Sequence, residues 1–287
     1  MKRNIFILIA GLFFSIQLQA GGPWPTPKNG GFFKLSQWWV VADKHYTDTG
    51  LLDPNITSAI YNTSLYAEYG LTDRLTGILY FPLYSRAVFN NEISGTTGEL
   101  VNPGEAINSI GDTDIGLKYG LIVNKPVVLS ASLYFGLPLG IASGGSTGTL
   151  QTGDGEFNQL LQLDIGTSFG LGGINFYSSA YGGFNNRTNG FSDELRYGIE
   201  GGATFPKTGI TTILRLYGIK SLKNGNSTDT PNSTSIFANN SEHFTISPEI
   251  AYQFNDKWGV SATYAQALSG RIIFANPSYS FGVFLKI

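Results

Sequence analysis

The sequence predicts an all-β fold, a single transmembrane antiparallel up-and-down β-barrel of about twelve strands. Three observations predict it. Apolar and polar residues alternate with period two along most of the chain, and helical periodicity is nearly absent. The connections between the alternating segments are short and long by turns. Beyond the first twenty residues no segment reads as a membrane helix, since the best candidate, "VVLSASLYFGLPLGIA" at 127–142, is broken by Ser130, Ser132, Gly136 and Pro138.

Residues 1–20 carry a different signal. Lys2 and Arg3 form a basic start, an apolar run extends from Ile5 to Ile16, and Ala20 offers a small-residue cleavage site. That is the pattern of a secretory signal peptide. The expected domains are therefore a leader at 1–20 and one barrel at 21–287. An exported chain with no helical span enters a membrane as strands, and hydrocarbon tolerates strands only in a closed sheet.

Strands are expected at 32–43, 57–71 and 75–87, then at 111–122, where Asp112, Asp114, Gly116, Lys118 and Gly120 oppose Ile115, Leu117, Tyr119 and Leu121. The fifth, 127–142, sets Leu129, Ala131, Leu133 and Phe135 against Ser130, Ser132 and Tyr134. In the sixth, 157–170, Leu161, Leu163 and Ile165 oppose Gln162, Asp164 and Gly166. Strands at 174–184, 193–205 and 210–222 follow. The series closes with 242–254, 258–270 and 277–287, the last alternating Tyr279, Phe281 and Val283 with Ser280, Gly282 and Phe284. Twelve is even, as single-chain outer-membrane barrels require. These segments exceed ten residues, whereas soluble strands run to about 5–6.

The turns "TDR", "VNKP", "LGG", "KTG" and "NDK" are tight. Between them lie the long stretches 44–56, 88–110, 143–156, 185–192, 223–241 and 271–276. Outer-membrane barrels sort their loops this way, with short periplasmic turns and long outer loops. Both termini then fall on the periplasmic side, and 88–110 and 223–241 lie outside the cell. Aromatic residues near strand ends, among them Phe33, Trp39, Tyr119, Phe157, Phe254, Trp258 and Tyr279, are expected to form interfacial girdles.

A formal charge of -2 on 287 residues gives no field for nucleic acid. The absence of cysteine excludes a disulfide framework and thiolate metal sites. No calcium-loop spelling occurs, and Gly-rich stretches such as "GLPLGIASGGSTG" lack the Lys-Ser/Thr of a phosphate cradle, so no cofactor is expected. The expected partners are outer-membrane lipid and the outer-membrane assembly machinery. The final residue, Ile287, departs from the aromatic residue common at the end of such barrels.

Turning the apolar series outward gathers the charges inside. Lys34, Glu68, Arg86, Asp112, Asp114 and Lys118 face the lumen on this reading, with Asp164, Glu194, Arg196, Glu200, Arg215, Glu249 and Lys286. The signs nearly balance, which points to pairs bracing the wall and to weak charge selectivity. Inward aromatics include Tyr66, Tyr80, Tyr84, Tyr134, Tyr177, Tyr181, Tyr217 and Phe284, which either narrow the pore or close it. Eight-stranded barrels are filled by side chains and sixteen-stranded ones hold a channel, so twelve leaves both outcomes open. Asp112 and Asp114 are expected to pair with Arg86 and anchor loop 88–110, with Lys118 turning to Glu68 or to water.

The run "GDTDIGLKYGLI" resembles the signature of the MetA-pathway of phenol degradation family, matching it at Gly111, Asp112, Gly116, Lys118 and Tyr119. The resemblance implies an outer-membrane barrel of a Gram-negative bacterium that takes up aromatic or other hydrophobic compounds. With the barrel reading it gives a channel for passive diffusion of such solutes. Two alternatives remain: a closed structural or surface-exposed barrel, and an outer-membrane hydrolase. For the hydrolase, His45 and His243 are each followed two residues on by Thr and not Ser, while Asp43-x-His45 with Asp112-x-Asp114 fits the spelling of an omptin-type protease. No enzyme activity is expected, because the run that carries Asp112 and Asp114 already has a family explanation and the strand number differs from ten.

Overall fold

The computed structural model describes residues 21–54, 57–226 and 235–287. The expected leader at 1–20 and the middle of loop 223–241 lie outside the described residues. Twelve long strands close into an antiparallel barrel. They are β1 (Gly31–Ala42), β2 (Ser58–Gly70), β3 (Leu75–Phe89), β4 (Thr113–Ile122), β5 (Val127–Leu137) and β6 (Asn158–Leu171). The second half comprises β7 (Ile174–Arg187), β8 (Glu194–Phe205), β9 (Ile210–Ser221), β10 (Glu242–Gln253), β11 (Trp258–Arg271) and β12 (Ser278–Lys286). Each pairs with its sequence neighbour, and β1 also pairs with β12, so the sheet closes on itself.

The period-two pattern sorts the faces. Leu161, Leu163 and Ile165 on β6 are 57%, 52% and 47% exposed, while Asp164 between them is 3% exposed. Apolar side chains exposed around a closed sheet form the lipid band of a membrane barrel. Rings mark its rims: Trp39 stacks on Tyr279 at 5.9 Å and Phe135 on Phe157 at 5.8 Å toward the long loops. At the short-turn end Phe169 stacks on Phe176 at 5.4 Å. Arginine near the midplane of a lipid face costs about 2–4 kcal/mol. Leu163→Arg should therefore reduce the yield of folded, heat-modifiable barrel far more than Gln162→Arg. Equal losses would mean that the register is off by one residue.

Two strands depart from expectation. β5 stops at Leu137, because Pro138 has no amide to continue the ladder. β3 carries a bulge: Ser64 opposes Pro82 and Thr63 opposes Tyr84, so Leu83 has no partner. An extra residue inverts the alternation above it. Ser85 and Ala87 are buried inside, whereas Tyr84 is 44% exposed on the outer face. The same inversion corrects Arg86, which lies outside opposite Tyr61 and donates to Asn108 at 2.8 Å. The wall is also discontinuous here. Leu75–Tyr80 pairs with β4, but Ser85–Phe89 pairs with the short strand Glu105–Ser109. Between the two ladders Gly111 donates to the Pro82 carbonyl at 3.0 Å.

Beyond the barrel rim at the long-loop end, His45–Tyr46, Leu52–Asp53 and Ile273–Phe274 form a small sheet. Phe274 joins Val40, Ala42 and Ile60 in an apolar cluster inside this mouth.

Candidate functional site: a lumen occupied by the N-terminal segment

The first ten described residues enter the barrel. In "GGPWPTPKNG" every second residue from 23 to 27 is proline. Proline brings no amide donor, so this stretch lies in a lumen with few donors to satisfy. Those it has find partners: the Gly21 amide donates to Glu68 Oε1 at 2.8 Å, Thr26 to Thr76 Oγ1 at 2.8 Å, and Asn29 to the Gly70 carbonyl at 2.9 Å. Trp24 meets the Tyr177 ring edge-on at 5.9 Å. Glycines in the wall make the close fit. A Cβ on Gly166 would stand 2.7 Å from Pro23 Cγ, and one on Gly120 2.7 Å from Pro25 Cγ. Gly120, in the run "GDTDIGLKYGLI", is thus a seat for the N-terminal segment.

Below and beside this segment lies a buried charge cluster. Glu68, Lys118 and Asp164 are 0%, 2% and 3% exposed. Lys118 Nζ is 3.5 Å from Glu68 Oε1, reaching over Thr76, its small neighbour in the β3–β4 ladder. Glu68 also accepts from the Tyr66 hydroxyl and, at 3.2 Å, from Thr26 Oγ1. Asp164 accepts from Gln162 Nε2 at 2.8 Å and feels the Lys118 charge.

The opposite wall carries a ladder of ion pairs. Lys34 binds Glu249 at 3.2 Å, Glu249 binds Arg215 at 2.6 Å, Arg215 binds Glu200, and Glu200 accepts from the Tyr177 hydroxyl at 2.5 Å. This wall borders a vestibule of about 1140 Å³ at the short-turn end, into which Tyr66, Tyr80, Phe32 and Phe284 also face.

Loop 138–157 folds back over the outer mouth. Arg187 clamps it, binding Glu156 at 2.6 Å and Asp154 at 3.0 Å from the loop and Glu194 at 2.7 Å from β8. Leu150, within the loop, is 2% exposed. A small polar chamber of about 120 Å³ remains under it, lined by Asp114, Tyr134, Gln162, Asn185 and Arg196 among others.

Asp112 belongs to this mouth and not to Arg86. It accepts from the amides of Gly140 at 2.9 Å and Asp154 at 2.6 Å, so it holds loop 138–157 rather than 88–110. Burial, opposed by the Gly140 amide and reinforced by the Asp154 carboxylate, pushes its carboxyl up to about 7. A folded value above the unfolded one contributes stability that is full below about 4 and is lost as pH rises through about 7. A spin label on Thr147→Cys should therefore gain mobility between pH 5 and pH 8. Asp112→Asn should flatten that dependence, and a mobility independent of pH in both proteins would contradict it.

The expected lumen residues thus fall into separate places. Glu68, Lys118 and Asp164 come together, Glu200, Arg215 and Glu249 form the ladder, and Asp114, Tyr134 and Arg196 face the chamber. Tyr80 faces the vestibule, Asp112 the loop, and Arg86 and Tyr84 the outside. The parts of a protease-like arrangement engage different loops: Asp43 accepts from Asn276 Nδ2 at 2.8 Å, and Asp112 from loop 138–157. The inward N-terminal segment and the Arg187 clamp were not expected. The proline alternation at 23, 25 and 27 is the signal that could have revealed the first.

A closed twelve-stranded barrel with an apolar outer band is an outer-membrane β-barrel of the kind built by Gram-negative bacteria. Comparison with solved structures agrees on the fold. An outer-membrane channel from Pseudomonas putida F1 superposes with a TM-score of 0.58 at 14% identity, covering 94% of this chain and 100% of that one. LpxR from Salmonella typhimurium gives 0.48 at 9% identity over 88% and 99% of the two chains. The KdgM porin, solved in complex with disordered oligogalacturonate, gives 0.46 at 9% identity over 90% and 99%. No profile of a known family matches the chain, and no curated protein matches it. The family resemblance of "GDTDIGLKYGLI" therefore stays a resemblance of one short motif.

Proposed function

We propose that the protein is a plugged outer-membrane channel for small solutes with aromatic or other hydrophobic surface, which cross by passive diffusion once the N-terminal segment moves. One observation carries this reading: a ten-residue segment outside the ladder occupies the lumen, seated beside a vestibule of about 1140 Å³. A segment held by a few hydrogen bonds can leave without dismantling the barrel. The inner face offers the flat rings of Tyr66, Tyr80, Tyr177 and Phe284 next to paired charges, a surface that accepts amphipathic ring compounds. The balanced ladder gives no excess of one sign to select ions. No catalytic role is proposed for any of these residues.

Flux tests the reading. Liposomes carrying the protein should release or admit small phenols faster than protein-free liposomes, and faster than they pass sugars of equal size. Equal rates for all solutes would replace this reading by an unselective pore. No flux, even without the segment, would favour a closed structural barrel.

A further inference from the structure

Glu68 is fully buried and has gathered three donors, the Gly21 amide at 2.8 Å, Thr26 Oγ1 at 3.2 Å and the Tyr66 hydroxyl, with the Lys118 ammonium 3.5 Å away as its ion-pair partner. The cluster is nevertheless short of one positive charge. Two buried carboxylates, Glu68 and Asp164, share the Lys118 ammonium. An uncompensated buried charge is costly, and natural sites pair it. The nitrogen nearest Glu68 is that of Gly21, the residue that follows the expected cleavage site at Ala20. Gly21 also lines the vestibule, and a Cβ there would meet nothing within 4 Å beyond its chain neighbours.

We infer that Glu68 is a binding site for the α-ammonium group of the processed chain: cleavage after Ala20 creates the cation that completes the buried cluster and locks the plug. Hydrolysis of the Ala20–Gly21 peptide bond by an export peptidase consumes one water. The Ala20 carboxylate leaves with the leader, and the Gly21 amine stays on the barrel and takes up a proton. An amide at this position donates one hydrogen bond and no charge, whereas an ammonium donates up to three and carries the missing unit charge. Maturation and closure are then linked. An unprocessed chain holds its segment against a cluster that is one charge short, and a processed chain holds it with an ion pair inside a poorly hydrated lumen. Pro23, with no amide of its own, and the positive φ of Gly21 and Gly22, 85° and 71°, let the chain end turn back toward Glu68.

The inference deepens the plugged-channel reading and rests on the same seating of the segment, so its test does not use transport. Mass spectrometry of barrel purified from outer membranes identifies the N-terminal residue. The rate at which that amine is acylated is then followed against pH, in folded barrel and in the urea-unfolded chain. A free α-amino group titrates near 7.7–8.0. The expected result is a Gly21 terminus whose titration lies at least one unit higher when folded, with at least a tenfold slower acylation at pH 8. Glu68→Gln should bring both back toward the unfolded values while Asn29→Ala, which keeps the cluster intact, should not. If Glu68→Gln does not assemble, the comparison of folded and unfolded wild type still decides. A terminus other than Gly21, or the same titration in folded and unfolded chains, overturns the inference. A solute flux that fails with the amine shift intact would strike the transport reading alone.

Discussion

Lys118→Met should destabilise the barrel by about 3–5 kcal/mol, the range for removing one partner of a buried ion pair. The substitution keeps the aliphatic length of the side chain and deletes the charge. Glu68 and Asp164, 0% and 3% exposed, then lose the cation they share and repel each other across the lumen. Neither has access to bulk water, so neither recovers its hydration. The midpoint for urea unfolding in lipid vesicles measures the loss. Adding Asp164→Asn to Lys118→Met should recover part of it, because one of the two stranded carboxylates disappears. Residues in one network couple by about 0.5–3 kcal/mol, and the double-mutant cycle reads that coupling directly. Additive losses would mean that Lys118 and Asp164 act separately, and that the cluster is not the unit drawn here.

Much of this architecture is legible in the residues, and the parts that are not have physical reasons. The lipid band follows from alternation, since Leu161, Leu163 and Ile165 on β6 can share only one face of a strand. The half-pair between Lys118 and Glu68 was within reach, because both charges fall on inward positions of strands two apart in the sheet. Arg86 was not. Its parity depends on whether one residue upstream is bulged, and Leu83 carries no mark that it is the extra one, beyond standing next to a proline that cannot donate. Asp112 illustrates a second limit. Its role is set by where loop 138–157 folds back, and a long loop has no periodicity to read. The N-terminal segment was missed for a third reason. Proline at positions 23, 25 and 27 excludes a strand, but only the register of glycines on other strands, Gly120 and Gly166, reveals what the prolines pack against.

The other large effect concerns that segment. Deleting residues 21–28 removes Pro23, Trp24 and Pro25 from their seats and frees the Tyr177 ring that Trp24 covers. It leaves every barrel strand complete, because β1 begins at Gly31. The deletion also strips Gly21 and Thr26 from Glu68, which keeps Tyr66 and Lys118, so the wall cluster survives in part. Assembly should therefore be nearly unchanged, while the lumen gains the width of an eight-residue strap. Loop 138–157, clamped by Arg187, still covers the outer mouth, and residual gating by that loop should appear as flicker. The most direct test is the single-channel current of purified protein in planar bilayers, full-length against the 21–28 deletion. The expected result is small or absent steps for the full-length chain and regular steps several-fold larger for the deletion. Identical traces from the two proteins, both folded by heat modifiability, would contradict the claim that this barrel is closed by its own N-terminal segment.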